Sequence, residues 1–405
     1  MTKKNRFTLA LLCTGHFISD AYSSQIYPLL PLLGEKLALS TAQVFWLAPL
    51  YAITSSILQP VYGIISDRYA RRFFAVFAPT ITAVFVSLIG LAPSYGILIV
   101  LLIGGGFGIG SFHPQSAAIA SEAASERRRI GMAIFSAAGT IGFAFGPFII
   151  TRFVSAFGLD KAYYTMFAGI LMSAVLYKFC PPLSEQKKAV TVTPSNKKVK
   201  SELLIALKAA WQPLLMLYLI TVIRSGLQMT TNNYLPFMLK EQGFGLNQIG
   251  NAMTIFLMAG GIGGLVGGIL AERFSGRFVT LTSGILAAPL MVGAFLTTGF
   301  LSMVLLALGG FVLLSTIPVN VAMAQELAPT QTSTVSALMM GAAWGVGALA
   351  PQALRPVAQA LGFQKALIYA SIATLLSAVC AFFLPREEHL QTVVHEAEPV
   401  IATGD

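Results

Sequence analysis

Apolar runs of about 20 residues recur along nearly the whole chain, and each is long enough to cross a hydrocarbon core of roughly 30 Å. Hydrophobic residues make up 56% of the 405 residues and charged residues only 10%, and the mean hydropathy is +0.75. These values exclude an ordinary soluble globular domain and predict an all-α integral membrane protein. We predict twelve transmembrane helices, over residues 7–33, 43–65, 73–92, 96–121, 130–155, 161–180, 209–239, 247–270, 277–299, 301–325, 332–354 and 365–384.

The basic residues indicate how these helices are oriented. A formal charge of +10 could indicate nucleic-acid binding, but most of the 26 lysines and arginines fall in every second loop. By the positive-inside rule, this distribution places both termini in the cytoplasm of a bacterial-type inner membrane, with no nucleic-acid partner. The three cysteines, Cys13, Cys180 and Cys380, show neither a disulfide framework nor a metal-ligand spacing. We therefore expect no cofactor and no metal.

The chain also divides into two halves that repeat each other. An offset of 205 residues places GIISDRYARR at 63–72 on GILAERFSGR at 268–277, and an offset of 204 places Pro114 on Pro318. Two pseudo-symmetric six-helix halves, with a substrate site at mid-membrane between them, are the major facilitator architecture. We predict a six-helix half at 1–180, a cytoplasmic linker at 181–208, a second six-helix half at 209–385 and a cytoplasmic tail at 386–405.

Several short motifs resemble those of a known family. GIISDRYARR resembles the signature loop of the major facilitator superfamily, which is written roughly G-x-x-x-D-R-x-G-R-R. Within that superfamily, HFISD, YPLLP, ILQP, FHPQ and AAGTIGFAFGP together resemble the fosmidomycin-resistance family of drug exporters. The resemblance implies a transporter whose first, fourth, seventh and tenth helices line a central cavity. The chain departs from the family pattern at Gln115, where an acidic residue is expected after FHP.

The fifth predicted helix carries Gly139, Gly142 and Gly146 at three- and four-residue spacing, followed by Pro147. Small residues at this spacing allow helices to pack closely, which is common in membrane bundles. In exporters of the superfamily that the chain resembles, a similar glycine-proline pattern is associated with antiport. The pattern thus fits both a packing role and an export role.

Asp20 is the acidic residue that lies deepest within a predicted helix, where an ionised side chain costs at least ~2.5–3.5 kcal/mol on insertion scales. Counted from basic residues at the cytoplasmic ends of their helices, Asp20 and His113 lie at the same depth, ~21 Å at 1.5 Å per residue. His16 is one turn from Asp20 on the same helical face. A histidine and a carboxylate so placed can exchange a proton while they stay hydrogen-bonded. We predict that His16, Asp20 and His113 couple transport to protons. Alternatively, His16 and Asp20 only join helices, and His113 only satisfies the carbonyl freed by Pro114.

Arg224 lies within the seventh predicted helix and keeps its charge at any accessible pH, so it needs a counter-charge or an anionic ligand. The offset of 204 makes Arg224 the counterpart of Asp20. Our hypothesis is that a substrate anion competes with Asp20 for Arg224. Uncharged polar residues on the cavity-lining helices are further candidates for substrate contacts, or for packing hydrogen bonds, namely Gln25, Tyr27, Gln115, Asn232, Asn233 and Asn320.

The loop after the second predicted helix is a candidate gate. Gly63 permits close helix approach, and an aspartate among arginines can form a charge cluster that holds the halves together until transport breaks it. The alternative is a positive-inside anchor without a switching role. The candidate gating residues are Gly63, Asp67, Arg68, Arg71 and Arg72, together with Glu272 and Arg273, which correspond to Asp67 and Arg68 in the second half.

Taken together, these features predict a proton-coupled secondary transporter, a monomer that exports a small anionic or amphiphilic compound or drug by alternating access. A proton-coupled importer of an organic anion is the first alternative. The second is a membrane enzyme or lipid-handling protein, since two histidines and one aspartate on two helices could also resemble a metal site. No Walker motif supports ATP use, and no nucleophile constellation supports an enzyme.

Overall fold

The computed structural model describes residues 2–65, 72–124, 127–181, 211–328, 335–336 and 338–385, and within them the chain is helical, with no strand. The twelve predicted helices all appear, with ends within a few residues of the predicted ones except in the eleventh. We label them α1 to α12. The first six are α1 (Lys3–Lys36), α2 (Thr41–Ala52, Ile53–Ile57 and Gln59–Ile65), α3 (Phe73–Ser87 and Leu88–Leu91), α4 (Tyr95–Ala124), α5 (Arg128–Phe157) and α6 (Leu159–Thr165 and Met166–Phe179).

The remaining helices belong to the second half of the sequence. They are α7 (Trp211–Glu241), α8 (Leu246–Arg273), α9 (Gly276–Leu296), α10 (Gly299–Leu314 and Ile317–Leu327), α11 (Leu338–Ala342, Ala343–Gly347, Ala350–Ala353 and Arg355–Leu361) and α12 (Phe363–Ala373 and Leu375–Phe382). The eleventh helix was predicted over 332–354, and its described part runs on to Leu361.

Eight helices of the described chain are long and apolar enough to cross a membrane by length and composition alone: α3, α4, α5, α7, α8, α9, α10 and α12. Of the other four, α1 and α2 depart from a simple apolar helix for local reasons. In α1, polar side chains and two internal prolines, Pro28 and Pro31, interrupt the apolar sequence. In α2, a π-helical turn at Ile53–Ile57 breaks the hydrogen-bond ladder, as is frequent at functional sites.

Two compact units can be distinguished in the described chain. The first consists of residues within 1–191, 231–258 and 351–366, and the second of residues within 192–230, 259–350 and 367–405. The segments 231–258 and 351–366 of the second sequence half thus belong to the first unit. The predicted linker lies, apart from Pro181, outside the described residues, and the division at 181–208 stays a prediction.

The 205-residue repeat appears as a matched pair of contacts. In the first unit, the Arg72 guanidinium donates to the Tyr177 carbonyl near the end of α6, and it lies 5.8 Å from the centre of the Tyr177 ring. In the second unit, Arg277 donates to the Phe382 carbonyl at 2.6 Å and lies 6.0 Å from that ring. In each half, therefore, an arginine at the start of the third helix binds the carbonyl end of the sixth, where a cation is favoured.

Close packing of α1 against α5 places the functional side chains of the first unit. A Cβ on Gly142 would lie 2.7 Å from the Phe17 Cα, and one on Gly146 would collide with Ser24 and the Ala21 carbonyl. Alanine at either position would therefore push the helices apart. The predicted packing role of this glycine series is confirmed.

Candidate proton and anion sites

His16, Asp20 and His113 meet in the first unit and form a compact cluster, which we call the triad. His16 Nε2 lies 3.2 Å from Asp20 Oδ2, and His113 Nε2 lies 3.2 Å from Asp20 Oδ1. The side chains are 7%, 16% and 26% exposed for His16, Asp20 and His113, respectively. The equal depth predicted for Asp20 and His113 is thus confirmed by direct contact.

Backbone carbonyls fix both imidazole rings in this orientation. His16 Nδ1 lies 2.8 Å from the Phe135 carbonyl of α5, and His113 Nδ1 lies 2.8 Å from the Ile109 carbonyl one turn earlier in α4. The His16 ring also stacks on Phe135 with ring centres 4.2 Å apart. A helical carbonyl does hold His113, as the structural alternative requires, but it is that of Ile109 and not the one freed by Pro114. The second ring nitrogen remains available for Asp20.

Gly139 of α5 lies directly against the triad. A Cβ at this position would collide with His16 Nε2 and lie 2.7 Å from Asp20 Oδ2. These neighbours are parts of rings and carboxylates held by other contacts, so they cannot move aside freely. Sequence reasoning identified Gly139 as a packing residue, and the structure adds that it adjoins the triad.

The triad can serve two chemistries. Its ligand atoms lie within 4.8 Å of one another, which is close enough for three groups to hold a divalent cation. The same three groups can bind and pass protons, because imidazole is the side chain whose charge changes near neutral pH. Either use requires the side-chain geometry described above.

Arg224 is the buried cation of the second unit, 3% exposed. Its Nε donates to the Leu313 carbonyl at 3.0 Å, and Nη2 donates to Ser283 Oγ at 2.6 Å and to the Val312 carbonyl at 2.9 Å. Among the described residues, no ion pair involves Arg224. Neutral dipoles therefore hold this charge in place.

The break in α10 explains why those carbonyls are available. The segment Gly299–Leu314 ends at a turn over residues 315–316 before Ile317–Leu327 begins. The last four carbonyls of a helix lack intrahelical partners, and the end of the helix carries partial negative charge. The Arg224 guanidinium lies at this end and uses two of the four.

A cleft beside Arg224 contains unused hydrogen-bonding capacity. It encloses about 240 Å³ of empty space, its opening included, and its lining combines polar and apolar side chains, among them Thr221, Arg224, Ser225, Gln228, Thr316, Asn320 and Trp344. Within the described chain, Arg224 Nη1, Gln228 Oε1 and Thr316 Oγ1 are buried without a hydrogen-bond partner. A buried donor left unpaired is costly, so Nη1 is poised to bind an acceptor.

Asn320, predicted as a substrate contact, does line this cleft, but its amide has other partners. Its Nδ2 donates to Thr221 Oγ1 at 3.4 Å, and its Oδ1 accepts from Thr280 Oγ1 at 3.3 Å. These bonds hold Asn320 in place at the edge of the cleft. Sequence reasoning missed Ser283, Thr316 and Trp344, whose positions depend on the rotation of α9, the break in α10 and the path of α11.

The other predicted substrate residues are all buried in the first unit. Gln25 Oε1 and both amide atoms of Asn232 have no hydrogen-bond partner within the described chain. A substrate role for these residues stays a prediction. The set comprises Gln25, Tyr27, Gln115, Asn232 and Asn233.

The structure describes four of the seven predicted gating residues. Asp67, Arg68 and Arg71 lie outside the described residues, and Gly63 falls in the last segment of α2. Glu272 and Arg273 are exposed at the end of α8, with Arg273 stacked over Phe274 at 5.5 Å. Arg72 has the contacts with α6 given above. A gating role for this set stays a prediction.

Comparison with known proteins identifies the class to which this helical fold belongs. The family model of the Major Facilitator Superfamily matches residues 12–351 and 217–402. The chain belongs to this superfamily of multi-pass membrane transporters and has its all-α fold of two pseudo-symmetric six-helix halves. Members of the superfamily act on small molecules and are not enzymes.

Individual relatives cover almost the whole chain. It is 28% identical to the uncharacterized MFS-type transporter YfnC of Bacillus subtilis (strain 168) over 95% of this chain and 94% of that protein. It is 26% identical to the Fosmidomycin resistance protein of Escherichia coli (strain K12), over 94% of this chain and 93% of that one. The family resemblance predicted from the motifs is confirmed.

A solved structure shows the same fold. A bacterial homolog of the human lysosomal transporter Spinster superposes with a TM-score of 0.80, at 14% identity, over 98% of both chains. At this level of identity, the likeness concerns the fold alone.

Proposed function

We propose that this protein exports a small organic anion in exchange for protons. The observation that carries the proposal is the buried, unpaired Nη1 of Arg224 beside a cleft. A permanent positive charge in a low-dielectric site is stabilised by a negative ligand, and a guanidinium matches the geometry of carboxylate and phosphonate groups. The neutral partners of Arg224 orient the side chain and leave its charge available.

The size of the cleft limits what part of the substrate it takes. Pockets that enclose a drug-sized ligand usually measure about 300–1,000 Å³, and a water-sized group can occupy only about 10 Å³ of this cleft. We therefore assign it to the anionic end of the substrate. The apolar or amphiphilic remainder of the substrate lies outside this cleft.

Proton coupling is assigned to the triad. Buried ionisable groups in membrane helices typically mark ion or proton pathways, and two histidines against one carboxylate can gain and lose protons near neutral pH. The geometry of the triad, with both Nε2 atoms on one carboxylate, supports this role. The predicted competition between substrate and Asp20 for Arg224 is not part of this proposal, because neutral groups hold Arg224.

The direction of transport and the membrane orientation complete the proposal. The similar Fosmidomycin resistance protein is named for resistance to a compound. Export of a toxic compound would produce such resistance. The distribution of basic residues favours termini in the cytoplasm, and the proposal includes a bacterial inner membrane and a monomer that works by alternating access. Uptake of an organic anion is the competing function, and flux measured with the pH gradient imposed in each direction separates the two.

The test is binding and transport by purified protein in lipid vesicles. A panel of carboxylates, phosphonates and cationic drugs is screened by thermal stabilisation, and hits are then followed as flux. We expect anions to stabilise the wild type and Arg127→Gln, a control that removes an exposed arginine. Arg224→Gln should lose that stabilisation. Stabilisation by cations alone, or by anions equally in Arg224→Gln, would contradict the proposal.

A further inference from the structure

The contacts of the two imidazole rings limit how many protons the triad holds. A carbonyl oxygen only accepts hydrogen bonds, so the Nδ1 atoms that lie 2.8 Å from the Phe135 and Ile109 carbonyls must both carry hydrogen. In a neutral imidazole, the other ring nitrogen is then a bare lone pair. Both Nε2 atoms would therefore face Asp20 without a hydrogen if the two rings were neutral.

A bare Nε2 cannot bond to an ionised carboxylate, because both atoms are acceptors. The triad contains two such contacts, each 3.2 Å long, and they use different oxygens of Asp20. One hydrogen satisfies only one of them. Unpaired acceptors held together in a buried site are costly, so a triad with both contacts formed requires two labile hydrogens.

The positions of those hydrogens follow from basicity. Imidazole is a stronger base than carboxylate in model peptides, so each hydrogen resides on an Nε2. The other groups that face the triad leave this count unchanged. Tyr51 of α2 interacts with Asp20 electrostatically but stays a neutral phenol near neutral pH. The α5 helix contributes a carbonyl and Gly139, neither of which titrates.

We propose that the triad is a two-proton site, in which His16 and His113 are both imidazolium against one Asp20 carboxylate when both contacts are formed. Its net charge in this state is +1, and it is −1 when both protons have left. Loss of either proton breaks one contact and frees one ring. This inference deepens the proposed proton coupling and rests on it only for the use of the two protons in transport.

The chain offers a direct way to see the two rings. It has four histidines, and His389 and His395 lie in the C-terminal tail. Replacing those two with alanine leaves His16 and His113 as the only histidines. Full-length protein with ¹⁵N-labelled histidine and ¹³C-labelled aspartate is placed in lipid bilayers. Solid-state NMR then reports whether each ring nitrogen is protonated and whether Nε2 lies near the Asp20 carboxyl carbon.

We expect two imidazolium rings under acidic conditions, each with Nε2 coupled to the Asp20 carboxyl carbon. As the pH rises, each coupling should disappear together with its Nε2 hydrogen. In Asp20→Asn, we expect no more than one imidazolium, because the amide offers one acceptor oxygen and a donor in place of the second. Asp160→Asn, which removes an exposed carboxylate in the first turn of α6, should keep both.

Two results would overturn the proposal. One is a coupling to Asp20 that persists while the same ring has a bare Nε2, and the other is two imidazolium rings with no coupling to Asp20. Neither reading depends on transport. If flux proves independent of protons while both rings are imidazolium, the proposed function fails and the two-proton site stands. If flux is proton-coupled but a bare Nε2 faces Asp20, the two-proton site fails and the proposed function stands.

Discussion

Asp20 and Arg224 occupy matching positions on the first helix of each half, yet the structure neutralises their charges in different ways. Asp20 is bound by two ionisable side chains, and its contacts depend on protons. Arg224 is bound by Ser283 and by carbonyls at a helix end, none of which titrates. One half thus carries a charge that protons can change, and the other a charge that only a ligand can offset.

This difference indicates that the two halves can contribute different steps of transport, anion binding and proton exchange. A permanent cation with an unused donor is suited to hold an anion at any pH. A histidine–carboxylate cluster is suited to exchange protons and is a poor permanent anchor. Variants that convert one type of site into the other, or weaken it, separate anion binding from proton coupling.

The largest effect is expected for Asp20→Asn. The amide cannot carry a negative charge, so the triad can no longer exchange protons as proposed, and accumulation of substrate against its gradient should fall to the background level. Downhill exchange should continue, because Arg224 is untouched. The measurement is substrate flux in proteoliposomes with and without an imposed pH gradient, with Asp160→Asn as the control. Undiminished uphill transport by Asp20→Asn would refute the role of the triad.

Arg224→Gln should weaken binding of the anion at every pH. A charge-assisted hydrogen bond contributes about 1.5–3 kcal/mol, which corresponds to about a 10- to 100-fold rise in Kd. Titration of the purified protein with the best anion from the screen measures this change. A loss of affinity confined to one side of neutral pH would mean that Arg224 acts through a titrating partner, and the contrast with Asp20 would disappear.

Gly139→Ala tests how tightly the triad is enclosed. The added methyl would collide with His16 and approach Asp20, and overpacking of this kind typically costs about 1–3 kcal/mol of stability. We expect a lower thermal midpoint and a reduced proton-coupled rate. Gly268→Ala is the matched control, because a Cβ there would meet nothing within 4 Å. Equal effects in the two variants would place Gly139 outside the working site.

Ser283→Ala should have the smallest effect. It removes one acceptor from Arg224 Nη2 but leaves the carbonyls of Val312 and Leu313 in place. Loss of one hydrogen bond contributes about 0.5–1.5 kcal/mol, so we expect a change in anion Kd of roughly 2- to 10-fold. Proton coupling should be unaffected. A change in the pH dependence of flux in this variant would contradict the separation of the two sites.

Particular residues show how far the sequence predicts this molecule. Hydropathy was sufficient to predict the helices. Residue counts from the basic residues at the helix ends were sufficient to predict that Asp20 lies near His113, because each helical residue adds a fixed rise. The partners of Arg224 could not be predicted in this way. They are backbone carbonyls exposed by the break in α10, together with a serine brought near by the rotation of α9. Neither feature has a local sequence signature as clear as an ionisable residue in an apolar run.

The measurement that tests the central claim most directly is proton movement during net transport of the anion. Wild-type and Asp20→Asn proteins are placed in vesicles that contain a pH indicator, and movement of the anion down its concentration gradient is started without a pH gradient. We predict that the wild type moves protons in the direction opposite to the anion and that Asp20→Asn moves the anion without moving protons. Proton movement that accompanies substrate in Asp20→Asn, or its absence in the wild type, would contradict the division between a titratable triad and a permanent anion site.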